Sequence, residues 1–383
     1  MNTIGSVKNC YGCGVCAIAC PEKIITIELN PDGFYEPRII DENACTACGL
    51  CVAVCAYADD EVISAGNSQA ATYAAWSKSK WVRANCSSGG MGFEIAKHLI
   101  EGGYKACGVR YNVEANRAEH FLSSTVEDFK PSIGSKYIQS YTLPGFERIN
   151  RSDRFLITGT PCQIDSMRRY IRKLKIEDNF VLMDFFCHGV PSMLMWRKYT
   201  KMVERRTGRI TGAAWRDKRG GWHDSLAIAI SGKNGREYYS STRDRDPFWR
   251  FFLRGLCLNT ACYDRCKYRM LSSAADIRIG DLWGTAYRDN DEGVSALLAF
   301  SEKGKKLVDS LTNSYVKAQP LSVVTEGQMR HSIKRPSGYR YVKRSLAGDG
   351  ELITIAKRAR LFHIVLDIHT ILFNRLKKIW KRA

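Results

Sequence analysis

No run of residues is long and apolar enough to span a bilayer. The longest apolar stretch, Leu361 to Phe373, is too short and is broken by His363, Asp367 and His369. No secretory signal opens the sequence, where Met1-Asn2-Thr3-Ile4-Gly5 runs on to Cys10. A cytoplasmic protein is therefore expected. Collagenous, disordered and disulfide-stapled mini-protein signatures are absent: 45% of the 383 residues are hydrophobic and 25% charged, enough for one substantial core and one or two small modules. Acidic residues are the scarcer charge, 39 Asp and Glu against 58 Lys and Arg, a formal net charge of +19. Such a balance points to acidic partners, an anionic cofactor or substrate, or a membrane surface. No nucleic-acid-binding motif accompanies it, so nucleic acid is not an expected partner.

Cysteine, by contrast, is abundant, with fifteen residues that cluster rather than scatter. Disulfides are disfavoured in a reducing compartment, which makes metal ligation the better account. Cys10-x-x-Cys13-x-x-Cys16-x-x-x-Cys20-Pro21 recurs 35 positions later as Cys45-x-x-Cys48-x-x-Cys51-x-x-x-Cys55. Each half has the bacterial ferredoxin spacing for a 4Fe–4S cluster. Three thiolates of one set can wrap a cubane from a tight loop, while the fourth begins a short helix and reaches the other cluster. The assignment is Cys10, Cys13, Cys16 and Cys55 to one cluster, and Cys45, Cys48, Cys51 and Cys20 to the other. Gly12, Gly14 and Gly49 suit backbone that packs against inorganic sulfide and donates N–H groups to it. Zinc would favour paired C-x-x-C knuckles instead. Between the repeats, Ile24 to Leu29 and Phe34 to Pro37 read as strands joined by a turn at Asn30-Pro31-Asp32-Gly33.

After a linker at Gly66-Asn67-Ser68-Gln69 the pattern becomes α/β. Strands are expected at Thr72–Trp76, Lys105–Tyr111, Arg154–Thr158 and Phe180–Phe186, alternating with helices. Ser87-Ser88-Gly89-Gly90 precedes a helix with the apolar face Met91, Ile95, His98 and Leu99. A small-residue turn at a helix N-terminus can cradle a phosphate, though capping alone would explain it equally. Two strands end in cysteine-bearing turns, Gly159-Thr160-Pro161-Cys162-Gln163 and Cys187-His188-Gly189-Val190-Pro191, where open α/β sheets place their ligands. With the close pair Cys262 and Cys266, these cysteines are candidates for a third cluster. Cys86 and Cys107 read as small buried apolar residues.

Taken together, the ferredoxin repeat, the Ser-Gly-Gly turn, Gly134-Ser135-Lys136-Tyr137, the two cysteine turns and Gly280-Asp281-Leu282-Trp283-Gly284 resemble the family of coenzyme F420 hydrogenase/dehydrogenase beta subunits over roughly residues 1 to 335. The resemblance implies an α+β protein: a small ferredoxin-like domain (1–65), a larger α/β domain holding FAD and a 4Fe–4S cluster (70–335), and a basic tail (336–383). By motif, Cys162, Cys187, Cys262 and Cys266 would bind the third cluster, and Ser87, Ser88, Gly89, Gly90, Lys136, Gly159 and Thr160 would lie near the flavin. The family usually shows C-x-x-C where this chain has Cys262-x-x-x-Cys266, which leaves Cys257 as an alternative to Cys266. The resemblance further implies a ferredoxin-linked oxidoreductase, with ferredoxin or another redox protein as partner, and bacterial relatives are associated with surface-polysaccharide gene sets.

A cluster passes single electrons and flavin can exchange one or two, so the expected path joins an external donor to a substrate through clusters and FAD, in either direction. Lys136, His188 and Arg216 are candidates to bind a small anionic substrate or stabilise charge on the reduced flavin. The alternatives are a non-catalytic electron-transfer subunit, an F420 oxidoreductase, and a cluster-bearing scaffold for polysaccharide assembly. From Ala356 a basic amphipathic helix is expected, with Leu361, Val365, Ile368, Leu372, Leu376 and Ile379 along one face. It reads either as docked on the protein's own core or as peripheral at an anionic membrane surface.

Overall fold

The computed structural model describes residues 3–65 and 69–359. The Gly66-Asn67-Ser68 part of the linker and the tail beyond residue 359 lie outside the described residues. Among the described residues fourteen strands occur: β1 (Ile25–Leu29), β2 (Tyr35–Ile39), β3 (Ala71–Ser77), β4 (Lys105–Asn112), β5 (Arg117–Ser123), β6 (Ser140–Tyr141), β7 (Phe155–Thr158), β8 (Phe180–Phe185), β9 (Ile210–Ala214), β10 (Ala227–Gly232), β11 (Glu237–Ser241), β12 (Ile277–Asp281), β13 (Ser295–Ala299) and β14 (Ser314–Ala318). The result is a mixed α/β protein with a small ferredoxin-like N-terminal region and a large mixed sheet.

In the N-terminal region β1 and β2 form an antiparallel hairpin, with Leu29 opposite Tyr35. Its turn forms because the Asn30 side-chain oxygen accepts the N–H groups of Asp32 and Phe34, both at 3.0 Å, and Gly33 takes φ +80°. Residues 3–65 carry nine acidic and three basic side chains, the reverse of the chain as a whole. That inversion is used in docking. Asp59 pairs with Arg169 at 2.6 Å, Asp60 with Arg265 at 2.7 Å and Asp32 with Lys343 at 2.7 Å. Exposed ion pairs add little individually, but buried polar contacts reinforce them. Asn259 donates to the Cys10 carbonyl at 3.0 Å, and the Gln139 side chain accepts the Tyr35 N–H at 2.9 Å.

The large sheet has nine strands in the order β14-β3-β13-β12-β8-β7-β4-β5-β6. Its centre, β12-β8-β7-β4, is parallel, so those four strands share one carboxyl edge. The strands β3, β13 and β14 extend it antiparallel, an addition that the alternating α/β pattern does not announce. Strand β7 is apolar where it is covered on both faces, with Phe155, Leu156 and Ile157 fully buried, while β8 and β12 bury Asp184 and Arg278 as an ion pair at 2.6 Å. A three-stranded antiparallel sheet, β11-β10-β9, packs with the Met193–Thr207 helix around an aromatic core that includes Trp196, Trp215, Phe248 and Trp249. The Tyr339–Ala347 helix and the helical residues 352–359 add Val342, Leu346, Leu352 and Ile355 to that same core. Residues 356–359 are the only part of the expected tail helix among the described residues, and its apolar face from Leu361 to Ile379 lies outside them. No helix of the described residues is long and apolar enough to cross a membrane.

Candidate functional site

The parallel strands bring their following loops to one edge. After β7 come Gly159 and Thr160, after β8 come Cys187 and His188, and Asp281 ends β12 ahead of Trp283. These loops wall a cavity of about 540 Å³, which also takes in Ser87, Ser88, Gly90, Lys136, Tyr137 and Gln328. A volume of that size is within the usual range for a cofactor pocket.

The Ser87–Gly90 turn leads into the Met91–Glu101 helix, with Gly90 as cap at φ +86°. A Cβ on Gly89 would lie 2.5 Å from the Ala75 carbonyl oxygen and 2.8 Å from the Ser295 nitrogen, so only glycine fits between β3 and β13. The Ser135 N–H donates to Ser87 Oγ at 2.8 Å, and Ser88 Oγ donates to the Val294 carbonyl at 2.7 Å. Across the cavity, Thr160 caps the Pro161–Leu174 helix: proline at its first position needs no N–H partner, and Gln163 accepts the Thr160 N–H at 2.8 Å.

The three candidate polar side chains are all engaged. Lys136 Nζ donates to the carbonyls of Pro131, Ser132 and Ile133 at 3.0, 2.9 and 2.9 Å, using its three protons. Burial pushes its pKa down to about 7, opposed by the nearby Cys86. His188 Nε2 donates to the Phe252 carbonyl at 2.9 Å and its Nδ1 faces Met329 Sδ at 3.1 Å; burial lowers its pKa. Arg216 does not line the cavity. It forms a buried bidentate pair with Asp281 at 2.9 and 3.1 Å, and donates to the Ser87 carbonyl at 3.0 Å and Tyr137 Oη at 3.2 Å. In this arrangement Arg216 positions the Ser87 turn and has no donor to spare for a substrate. Arg269, which also lines the cavity, donates to the carbonyls of Cys187 and His188. An anion in the cavity would thus be met by main-chain N–H groups.

The sequence reading missed Asp281 and Lys218 as site residues. Lys218 Nζ donates to the carbonyls of Arg83, Ser88 and Glu292 at 2.6, 2.7 and 2.8 Å, pinning the same turn from the other side. Asp281 belongs to the Gly280-Asp281-Leu282-Trp283-Gly284 segment already singled out, and Lys218 lies two residues after the candidate Arg216, but nothing local says that they converge.

The structure brings twelve cysteines into three groups. Cys20, Cys45, Cys48 and Cys51 line one small cavity, with Cys48 exposed. Cys10, Cys13, Cys16 and Cys55 form a buried group whose charges oppose one another's ionisation. Burial first, and the neighbouring thiols second, push the Cys13 pKa up to about 11 and raise those of Cys10 and Cys16 as well. Cys162, Cys187, Cys262 and Cys266 form the third group. Burial, then mutual repulsion, raises Cys187 to about 11 and Cys262 to about 12. The second and third groups are costly as ionised thiolates alone and fit a cationic iron core that would offset the charge. Main-chain N–H groups already point at sulfur, Gly12 N–H to Cys10 Sγ at 3.3 Å and Val190 N–H to Cys262 Sγ at 3.4 Å. Among the described residues no three His, Cys, Asp or Glu side chains converge as a single-ion site, and a cubane holds its thiolates further apart than an ion does.

Cys257 stands apart from the third group. It is buried in the aromatic core, and its charge partners include none of Cys162, Cys187 and Cys262. The extra residue in Cys262-x-x-x-Cys266 is taken up by the end of the Thr260–Asp264 helix, after which Arg265 leaves helical geometry. Cys86 and Cys107 are likewise buried. Tyr11 sits between the second and third groups: its Oη donates to the Arg265 carbonyl at 2.5 Å, and Cys162, Cys262 and Cys266 raise its pKa after burial. Cys187 lines the large cavity. The three groups and the cavity therefore form one series.

Residues 9–58 match a 4Fe-4S dicluster domain, which makes this an iron–sulfur protein. Residues 152–323 match the family described as the C terminus of the beta subunit in coenzyme F420 hydrogenase/dehydrogenase. The chain carries that family's C-terminal domain behind an N-terminal 4Fe–4S dicluster domain. Coenzyme F420-dependent sulfite reductase of Methanocaldococcus jannaschii is 25% identical over 173 residues, 44% of this chain and 26% of the relative. A subunit of the F(420)H(2) dehydrogenase of Methanosarcina mazei is 25% identical over 194 residues, 47% of this chain and 55% of the relative. The chain thus matches about a quarter of the first and about half of the second. A solved chain of the F420-reducing [NiFe] hydrogenase complex from Methanosarcina barkeri shares 14% identity, covering 79% of this chain and 92% of that one, with a TM-score of 0.45, too loose a likeness to carry an argument.

Proposed function

We propose that this protein is an iron–sulfur flavoprotein oxidoreductase, relaying electrons between a ferredoxin-type partner and a small-molecule substrate. Three 4Fe–4S clusters and one FAD are its cofactors in this reading. Its domains are 1–65, 70–335 and a tail from 336. The observation that supports it best is that Cys187 belongs both to the third cysteine group and to the wall of the 540 Å³ cavity. A cluster there would abut whatever the cavity holds. FAD bound in the cavity would supply exchange between one-electron and two-electron chemistry.

The chain's own residues do the rest. The Ser87–Gly90 turn, held by Arg216 and Lys218, presents main-chain N–H groups to a diphosphate. Gly159 and Thr160 close the opposite wall, and His188 fixes the floor between Phe252 and Met329. The buried Cys10 group would hold a cluster that supplies one-electron exchange between the exposed Cys48 face and the third group, so the external partner would dock at the distal, Cys48-bearing end. A place in surface-polysaccharide assembly rests on the sequence resemblance alone.

Anaerobically reconstituted protein should contain about twelve iron atoms and one FAD per chain, and reduced ferredoxin should bleach the flavin absorbance. Reconstituted protein that retains no flavin at micromolar FAD would refute the reading. The second reading, an electron-transfer subunit of a larger complex, is favoured by the partial coverage of the relatives. It predicts the same cofactors but no turnover by the isolated chain.

A further inference from the structure

The Pro161–Leu174 helix belongs to the large domain, and one turn beyond Cys162 it carries Ser166, which is fully buried. Ser166 Oγ lies 3.3 Å from Cys13 Sγ and 3.1 Å from the Ala56 nitrogen. The Ala56 N–H can only donate, so it fills an acceptor position of the hydroxyl. Once Cys13 is a thiolate ligand it has no proton to give. The hydroxyl proton then has to run from Ser166 to Cys13 Sγ. The outcome is a directed chain, Ala56 N–H to Ser166 O–H to Cys13 sulfur, ending on a ligand of the same group that contains Cys55, the residue before Ala56.

We propose that Ser166 is a positioning residue that raises the reduction potential of the cluster held by Cys10, Cys13, Cys16 and Cys55, so that the large domain tunes a centre in the N-terminal module. The inference rests on the cluster assignment above. Reduction adds one electron to the cluster and spreads negative charge onto its sulfur atoms. A hydrogen bond to a ligand sulfur stabilises the reduced form more than the oxidised one. Burial strengthens the effect, because no water competes for the sulfur. The same helix presents Cys162 to the third group, so one rigid element would hold both ends of the transfer between these two centres.

The test is an EPR-monitored redox titration of the full-length, reconstituted chain. In Ser166→Ala the ratio of reduced to oxidised cluster at a fixed potential should fall about tenfold, a downward shift of about 59 mV for a one-electron couple. The other two clusters should keep their potentials, and Ser166→Thr, which retains the hydroxyl, should match the wild type. If the alanine variant loses iron, the isosteric pair Ser166→Thr and Ser166→Val reads the same hydroxyl, and equal potentials within that pair would overturn the proposal. So would full iron content in Ser166→Ala with an unmoved potential, or an equal shift of all three clusters. Wild-type protein that binds no iron would overturn both this inference and the reading beneath it, whereas an unmoved potential at full iron overturns the inference alone.

Discussion

Arg216 and Asp281 form a two-pronged ion pair, Nη1 to Oδ2 at 2.9 Å and Nη2 to Oδ1 at 3.1 Å, with the arginine side chain 1% exposed. The same Nη2 donates to the Ser87 carbonyl, so the pair holds the turn proposed to receive the flavin diphosphate. Arg216→Lys keeps the charge but cannot reproduce the fork. Breaking a buried pair costs about 3 kcal/mol or more, part of which would fall on the turn. We expect FAD affinity to drop about tenfold or more, at roughly 1.4 kcal/mol per decade, while iron content is kept. Flavin retained after gel filtration, set against iron per chain, measures this.

The third cysteine group gives a second test. Cys266→Ser should remove or destabilise one cluster, lowering iron by about four atoms per chain, the content of one cubane. Cys257→Ser should leave iron unchanged and lower thermal stability, because it places a hydroxyl in the aromatic core. Paired iron and acid-labile sulfide assays decide the matter. Equal iron loss in both variants would count against the grouping.

Much of this was legible in the chain because it depends on near neighbours. The Cys10-to-Cys55 repeat, the hairpin around Asn30 and the cysteine-bearing turn Gly159-Thr160-Pro161-Cys162-Gln163 each close within a few residues or at one fixed spacing. What escaped depends on distant pairs. Lys136 looked free because its three carbonyl partners are backbone groups, which leave no trace in residue identity. Arg216 looked available to a substrate because its partner Asp281 lies 65 positions away. Ser166 carried no signal at all, its sulfur partner being 153 residues distant. Mixed sheet topology is of the same kind: β13 reads as an apolar run that would suit either strand direction.

Gly89 offers a steric test of the turn. A Cβ there meets the Ala75 oxygen and the Ser295 nitrogen, backbone atoms of two neighbouring strands that cannot rotate away. Gly89→Ala should cost roughly 1–3 kcal/mol of stability and displace the turn. Flavin content should fall while the N-terminal clusters persist, since residues 3–65 dock elsewhere. Flavin absorbance and cluster EPR, recorded on one sample, separate the two effects. Unchanged flavin binding would argue that the diphosphate sits away from this turn.

His120 should give the protein a measurable acid weakness. It is fully buried on β5, its Nε2–H donates to the Thr158 carbonyl at 3.1 Å, and its Nδ1 has no partner. Protonation would leave a second N–H, and a charge, unsatisfied in the core, so burial pushes its pKa down to about 4. In the unfolded chain the same group titrates near 6.5. Between those two values the unfolded state binds a proton that the folded state refuses. The histidine's full contribution is therefore present above about pH 6.5 and is lost as pH falls towards 4. From pH 6.5 to 5 the loss amounts to about 2 kcal/mol. His120→Gln keeps a donor for the Thr158 carbonyl but does not titrate. Denaturant unfolding at both pH values should show a smaller acid loss in the variant by about that amount. Equal losses in the two proteins would mean that His120 is protonated, or solvated, in the folded state.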